Sequence, residues 1–198
     1  MNTAIKNILS DQLTISSPIN GETISSVSIT TKENFDTIVN NANTAYKSWS
    51  KTTLRERSHI FYKYRQLLID NIDELAQLAH KENGKTLAEA KAEVDKAIEV
   101  TEFACAMPQL SIGEISEVSN GITCTMTQEP LGVVANITPF NFPIMVPHWT
   151  LSIAMMCGNT LIMKPSEIVP LSMIRCAELL KEAGLPEHVF QLVQGGKD

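Results

Sequence analysis

Between Gly132 and Glu167 the sequence reads GVVANITPFNFPIMVPHWTLSIAMMCGNTLIMKPSE, and this stretch leaves few folds open. Val133–Ile137 is a short apolar run bounded by turn formers, the pattern of a strand buried on both faces. Thr138 to Pro143 follows, where two prolines hold the backbone extended and forbid helix. A mostly apolar helical run extends from about Ile144 to Cys157, and Pro147 is tolerable there only in the first turn. Gly158 stands where a helix C-cap glycine belongs. A second apolar strand, Thr160 to Met163, leads into Lys164-Pro165-Ser166-Glu167. The order strand, helix, strand predicts two parallel strands joined by a crossover. Their polar groups gather where the strands end, the edge at which open α/β sheets bind ligands.

The flanking sequence extends this unit. A helix from about Pro170 to Ala183 turns Leu171, Ile174, Leu179 and Leu180 inward and closes at Gly184, and a third strand, Val189 to Val193, ends at Gln194-Gly195-Gly196. The back half is therefore β-α-β-α-β, a Rossmann-like half of a doubly wound α/β sheet. Residues Met1 to Ile29 read as two short strands around an Asn20-Gly21 turn. Four helices come next, each opened by a capping box or a close relative: Thr30 with Glu33, Thr53 with Glu56, Asn71 with Glu74, and Thr86 with Glu89. Their inward positions are Phe35, Ile38, Val39, Ala42, Ala45, Tyr46 and Trp49; Ile60, Phe61, Tyr64, Leu67 and Leu68; Ile72, Leu75, Leu78 and Ala79; and Leu87, Ala90, Val94, Ala97, Ile98 and Phe103. Lys91, Glu93, Asp95 and Lys96 read as a solvated face. Pro108 and Gly113 break the helical pattern, and Ile122 to Thr127 then alternates strictly, as a half-buried strand does.

Composition narrows the partners. A net charge of -6 with pI near 5.3 argues against nucleic acid and against a membrane surface. The longest apolar stretch, Ile144 to Cys157, is too short to span a bilayer, and the N-terminus has no basic region followed by an apolar core, so no secretory signal is expected. Cys105, Cys124, Cys157 and Cys176 are widely spread inside apolar patterns. They read as buried, reduced thiols of a cytoplasmic protein, with no metal-ligand spacing.

Two places can carry chemistry. The β-α-β turn lacks GxGxxG, so the usual dinucleotide fingerprint is missing. A carboxylate at the end of the second strand can still accept hydrogen bonds from ribose hydroxyls, and Glu167 stands there with Lys164 beside it. Alternatively, Ser166 or Glu167 merely caps the next helix. Asn141, just past a strand end and held between Pro139 and Pro143, can donate to a developing oxyanion. It can equally satisfy the irregular backbone of its own turn.

Pro139-Phe140-Asn141-Phe142-Pro143, Cys157-Gly158-Asn159-Thr160 and Lys164-Pro165-Ser166-Glu167 together resemble the aldehyde dehydrogenase superfamily, and the resemblance reaches from the leading helices to Leu185-Pro186. Finer motifs resemble its methylmalonate-semialdehyde dehydrogenase branch. These are Glu102-Phe103-Ala104-Cys105 with Pro108, Pro130-Leu131-Gly132-Val133, and Thr138 to Pro143 followed by Met145-Val146-Pro147 and Trp149. That branch oxidises malonate or methylmalonate semialdehyde with NAD and passes the acyl group to coenzyme A. The resemblance implies that Asn141 donates to the oxyanion. It also implies that the backbone of Ile137 and Thr138, with Phe140, borders the nicotinamide, that Lys164 and Glu167 hold the adenosine ribose, that Phe142 lines the aldehyde tunnel, and that Gly195 lies near the adenine. The Ile122–Thr127 strand matches the family's oligomerisation arm, which implies a homo-oligomer, dimer or tetramer.

The resemblance divides the chain into an N-terminal arm (residues 1–29), the helical part of an NAD-binding domain (30–117), an oligomerisation strand (118–131) and the first half of the Rossmann-like sheet (132–198). Two positions depart from the branch. Ile168 stands where a basic residue is usual, so contact there is through backbone or packing. Lys96 replaces an arginine thought to hold the substrate carboxylate, which removes a bidentate fork. Family members run well over twice this length. The resemblance thus places the nucleophilic cysteine, the glycine-rich helix start under the pyrophosphate and the catalytic domain beyond Asp198, and leaves this N-terminal portion inactive alone. Two further readings compete: a non-acylating relative that makes a carboxylic acid, and a truncated, non-catalytic module that only associates with partners.

Overall fold

The computed structural model describes residues 12–196, so the first part of the expected N-terminal arm lies outside the described residues. In chain order the elements are strands β1 (Gln12–Ser16) and β2 (Thr23–Ser28), and helices α1 (Lys32–Trp49), α2 (Leu54–Asp70), α3 (Ile72–Asn83) and α4 (Leu87–Cys105). The single turn α5 (Met107–Leu110) is followed by strands β3 (Glu114–Ser119), β4 (Ile122–Met126) and β5 (Val133–Ile137). Helix α6 (Met145–Met156), strand β6 (Thr160–Lys164), helix α7 (Leu171–Glu182) and strand β7 (Phe190–Leu192) complete the chain. Among the described residues no helix is long and apolar enough to cross a membrane.

Strands β5, β6 and β7 form a parallel sheet in that order, with Val133 opposite Thr160 and Leu161 opposite Phe190. The alternation of a strand decides its two faces. Leu161 and Met163 enter the main core with α6, α7 and the α2–α4 helices, while Ile162 turns the other way against Ala42 of α1 and Val193. The sheet thus has α1 on one face and α6 with α7 on the other, and α2, α3 and α4 pack against those two. Phe61, Tyr64, Leu68, Leu75, Met155 and Met173 are fully buried, each worth about 1.5–3 kcal/mol relative to exposure. Pro147 falls in the first turn of α6, and Gly158 (φ +90°) and Gly184 (φ +93°) take the left-handed conformation beyond their helices.

Several expectations are corrected. Thr31 rather than Thr30 caps α1, accepting from Asn34 N at 3.2 Å. Thr53 and Thr86 do form capping boxes. Asn71 does not cap α3, because it also ends α2: its backbone sits at φ -111°, ψ 17°, and its amide donates back to Leu67 O at 2.8 Å. Phe35, Leu87 and Phe103 are exposed: Phe35 borders an open cleft beside Ile137 and Lys164, and Leu87 and Phe103 lie at the two ends of α4. Cys124 and Cys157 are exposed, not buried. Strand β5, the sheet's edge, is only partly covered, and Ile137 is 77% exposed. The alternating strand ends at Met126 and pairs with β3 in a hairpin turned at Gly121; both strands are exposed on both faces. The third strand of the sheet is shorter than read, Phe190–Leu192.

One buried pair couples the fold to pH. Nδ1 of His148 lies 2.7 Å from Ile144 O, which can only accept, so Nδ1 carries the proton and Nε2 accepts from Tyr64 Oη at 2.8 Å. Burial pushes the imidazole pKa from 6.5 down to about 4. Between those values the unfolded chain takes up a proton that the folded chain refuses. Stability is therefore intact above pH 6.5 and falls by about 1.4 kcal/mol per pH unit below it, about 3 kcal/mol in all by pH 4. We expect His148→Gln to flatten the dependence of the unfolding midpoint on pH across this window; an unchanged slope would assign the acid lability elsewhere.

Candidate functional site

The C-terminal ends of the three parallel strands meet around an open cleft of about 860 Å³. Ile137, Lys164 and Gly195 line it, with Gln194, Gly196 and the chain leading into α1 (Thr30, Thr31, Lys32). Thr138 N donates to Lys164 O at 3.1 Å, which carries the ladder one residue past β5 and joins two of the predicted site residues. The Thr138 hydroxyl and Gln194 Oε1 are both buried without a hydrogen-bond partner. Such groups cost about 1–3 kcal/mol each, and both stand at the edge where an open α/β sheet receives a ligand.

Lys164 Nζ lies 3.2 Å from Glu167 Oε2, and Ser166 Oγ reaches the same oxygen at 3.4 Å. The Glu167 carboxyl is held below its ordinary range by its own backbone N–H and then by the Lys164 ammonium. Its side chain is 44% exposed, so the pair adds little to stability and the carboxylate faces solvent. Neither Ser166 nor Glu167 caps α7. Pro170 holds the cap position without a side-chain bond, and the first N–H groups, of Leu171 and Ser172, are taken by Glu82 at 2.7 and 2.8 Å. The capping alternative therefore falls. Ile168 is 51% exposed beside the pair.

The loop between β5 and α6 is positioned from outside. Asn83 Nδ2 donates to Phe140 O at 2.8 Å, and Lys85 Nζ donates to Asn141 O at 3.1 Å while lying 4.6 Å from the Phe142 ring centroid. Lys85 also pairs with Glu93, whose other oxygen accepts from Ile144 N at 2.7 Å and Met145 N at 3.0 Å. The turn is thus satisfied by α3, α4 and the chain between them. The Asn141 side chain is not needed for that, and Asn141 is exposed. Phe140 is 55% and Phe142 38% exposed. None of these three lines the 860 Å³ cleft. Lys96, on the outer face of α4, pairs with Glu99 at 2.8 Å and is also apart from the cleft.

Glu93 is the main correction among the charged residues. It is 3% exposed rather than part of a solvated face. Glu93 and Glu82 were both legible as suspects, because each falls inside an apolar stripe: Glu93 three residues after Ala90 and four before Ala97, Glu82 three after Ala79. Burial raises the Glu82 carboxyl above its ordinary value, and Glu93 adds to that, against the hydrogen bonds it accepts.

Comparison with known proteins agrees with this geometry. Residues 7–198 match the model of the aldehyde dehydrogenase family. Malonate-semialdehyde dehydrogenase 2 of Bacillus cereus (strain ZK / E33L) is 45% identical over 195 residues, 98% of this chain and 40% of that protein. Methylmalonate-semialdehyde dehydrogenase (DddC) of Oceanimonas doudoroffii superposes with a TM-score of 0.92 at 37% identity, over 94% of this chain and 38% of that one. A structure from Sinorhizobium meliloti 1021, assigned to methylmalonate-semialdehyde dehydrogenase and complexed with NAD, superposes at 0.90 with 39% identity, over 93% and 38% of the two chains. The chain spans about two fifths of the length of the relatives it matches. Motif, parallel sheet and family match coincide: the chain belongs to the aldehyde dehydrogenase family.

Proposed function

We propose that the full-length enzyme containing this chain oxidises malonate or methylmalonate semialdehyde with NAD and transfers the acyl group to coenzyme A. The observation that carries the proposal is the Lys164–Glu167 pair at the end of β6, beside the loop that presents Asn141 after β5. NAD, when bound, supplies the hydride acceptor. Glu167 accepts from the adenosine ribose hydroxyls and Lys164 donates to them. The unmet Thr138 hydroxyl and the Phe140 ring border the nicotinamide, and Phe142 borders the aldehyde's path. Ile168 adds only apolar surface.

A cysteine thiolate adds to the aldehyde carbon, and the Asn141 carboxamide donates to the oxyanion that forms. Loss of hydride from that adduct gives a thioester, and the coenzyme A thiolate then displaces the cysteine. None of Cys105, Cys124, Cys157 and Cys176 sits in the nucleophile's motif. Burial pushes Cys105 up to about 11 and Cys176 up to about 12, and raises Cys157 as well. Thiols so shifted hold almost no thiolate at neutral pH. The relatives in two genera, named for malonate and methylmalonate semialdehyde, support the substrate class. Full-length enzyme supplied with malonate semialdehyde, NAD and coenzyme A should yield acyl-CoA and NADH in equal amounts. Free carboxylic acid as the sole product would defeat the acylating reading, and no NADH would defeat the oxidation itself.

A further inference from the structure

Asn141 is exposed, and its carboxamide makes none of the bonds that hold its own loop. Where the amide points is therefore decided by the backbone beneath it. A donor that must meet a developing oxyanion tolerates little error, because a displacement of about 1 Å can cost on the order of 10²-fold in rate. Two residues on either side of one glycine hold that backbone. Gly84 ends α3 in the left-handed conformation (φ +85°), its N–H donating to His80 O at 2.9 Å. Asn83 Nδ2 then reaches Phe140 O at 2.8 Å and Lys85 Nζ reaches Asn141 O at 3.1 Å, so two successive carbonyls are pinned from a single helix junction.

The junction is itself fixed. Lys85 O can only accept, so His80 Nδ1, 2.6 Å away, donates to it, and Thr86 opens α4 with its capping box in the next position. Pro18 of the β1–β2 turn packs on Gly84 so closely that a Cβ there would lie 2.8 Å from Pro18 Cγ. The Lys85 side chain is 10% exposed, and Glu93 and the Phe142 ring hold its ammonium on its other sides. Neither Asn83 nor Lys85 lines the 860 Å³ cleft, and the Lys164–Glu167 pair lies outside their network. Resting on the reading of Asn141 as the oxyanion donor, we propose that Asn83 and Lys85 are positioning residues for the oxidation, which raise kcat through Asn141 by fixing the two carbonyls beneath its carboxamide.

The test is a mutant cycle in the full-length enzyme, turning over malonate semialdehyde with NAD and coenzyme A and followed by NADH. Asn83→Ala and Lys85→Met are each made in the parent and in Asn141→Ala. In the parent we expect Asn83→Ala to lower kcat by about 3–10-fold and Lys85→Met by about 10–100-fold, with KM for NAD unchanged. In Asn141→Ala neither should lower kcat further, because the group they position is gone. A role confined to folding would lower the rate equally in both backgrounds. The proposal is overturned if either variant keeps the parent's kcat, or if the losses persist in Asn141→Ala. If Lys85→Met fails to fold, Asn83→Ala decides by the same comparison, since it removes a single bond near the surface. Failure of the underlying reading is distinguishable: Asn141→Ala itself then keeps the parent's kcat, or the parent forms no NADH, and this proposal falls with it. A large loss in Asn141→Ala beside inert Asn83 and Lys85 variants sinks this proposal alone.

Discussion

In the full-length enzyme, Asn141→Ala should lower kcat by about 10²–10³, with KM changed much less. The reason lies in how the loop is held. The carbonyls of Phe140 and Asn141 are held by Asn83 and Lys85, Glu93 holds the N–H groups of Ile144 and Met145, and the Asn141 carboxamide makes none of these bonds. That side chain is therefore free to act as a preorganised donor, and removing it subtracts transition-state stabilisation without loosening the loop. The same argument makes a second expectation inseparable from the first: Asn141→Ala should unfold within about 0.5 kcal/mol of the parent, as a surface substitution does. Unchanged kcat would take Asn141 out of the mechanism. A collapse of stability alongside the loss of rate would show a structural role instead.

Glu93→Ala should cost about 3–5 kcal/mol of stability, lowering the unfolding midpoint by about 10 °C or more. The carboxylate is 1% exposed. It neutralises Lys85, whose side chain is 10% exposed, and receives two N–H groups from the start of α6. Alanine leaves a nearly buried ammonium with one carbonyl partner and two helix N–H groups with none. Glu93→Gln keeps an acceptor for those N–H groups but not the ion pair, so it should fall between parent and alanine variant. Denaturant unfolding of the three proteins orders them. If Glu93→Ala loses less than about 1 kcal/mol, the network has been overvalued here, and the loop is positioned by its prolines alone.

Local signals were legible in the sequence, and long-range ones were not. Thr53 with Glu56 and Thr86 with Glu89 cap their own helices from three residues away, so the pattern carries the whole interaction. Gly158 and Gly184 mark helix ends for the same reason. The carboxylates that cap α6 and α7 come from 51 and 89 or more residues upstream, and an acidic residue in a helix ordinarily reads as solvated. Only their place within the apolar stripe hinted otherwise. Phe35 and Phe103 kept the helical period but are exposed, Phe35 at an open cleft and Phe103 near the end of α4, which periodicity cannot register. At the candidate site, Lys164, Glu167 and Asn141 followed from strand ends. Asn83 and Lys85 did not, because their contacts are fixed only when α3, α4 and the loop meet.

The two distant carboxylates also bear on where a dinucleotide's phosphates can rest. In most doubly wound sheets the N-terminus of the first crossover helix is the anion cradle. In this chain both crossover helices, α6 and α7, arrive already stoppered, by Glu93 and Glu82. A pyrophosphate brought to either would meet an occupied donor set and an acidic oxygen. Both helix starts are closed to a diphosphate by carboxylates of this same chain. That absence of vacancy makes a glycine fingerprint at Thr138–Pro143 pointless, and it leaves two prolines and a carboxamide free to occupy the turn instead.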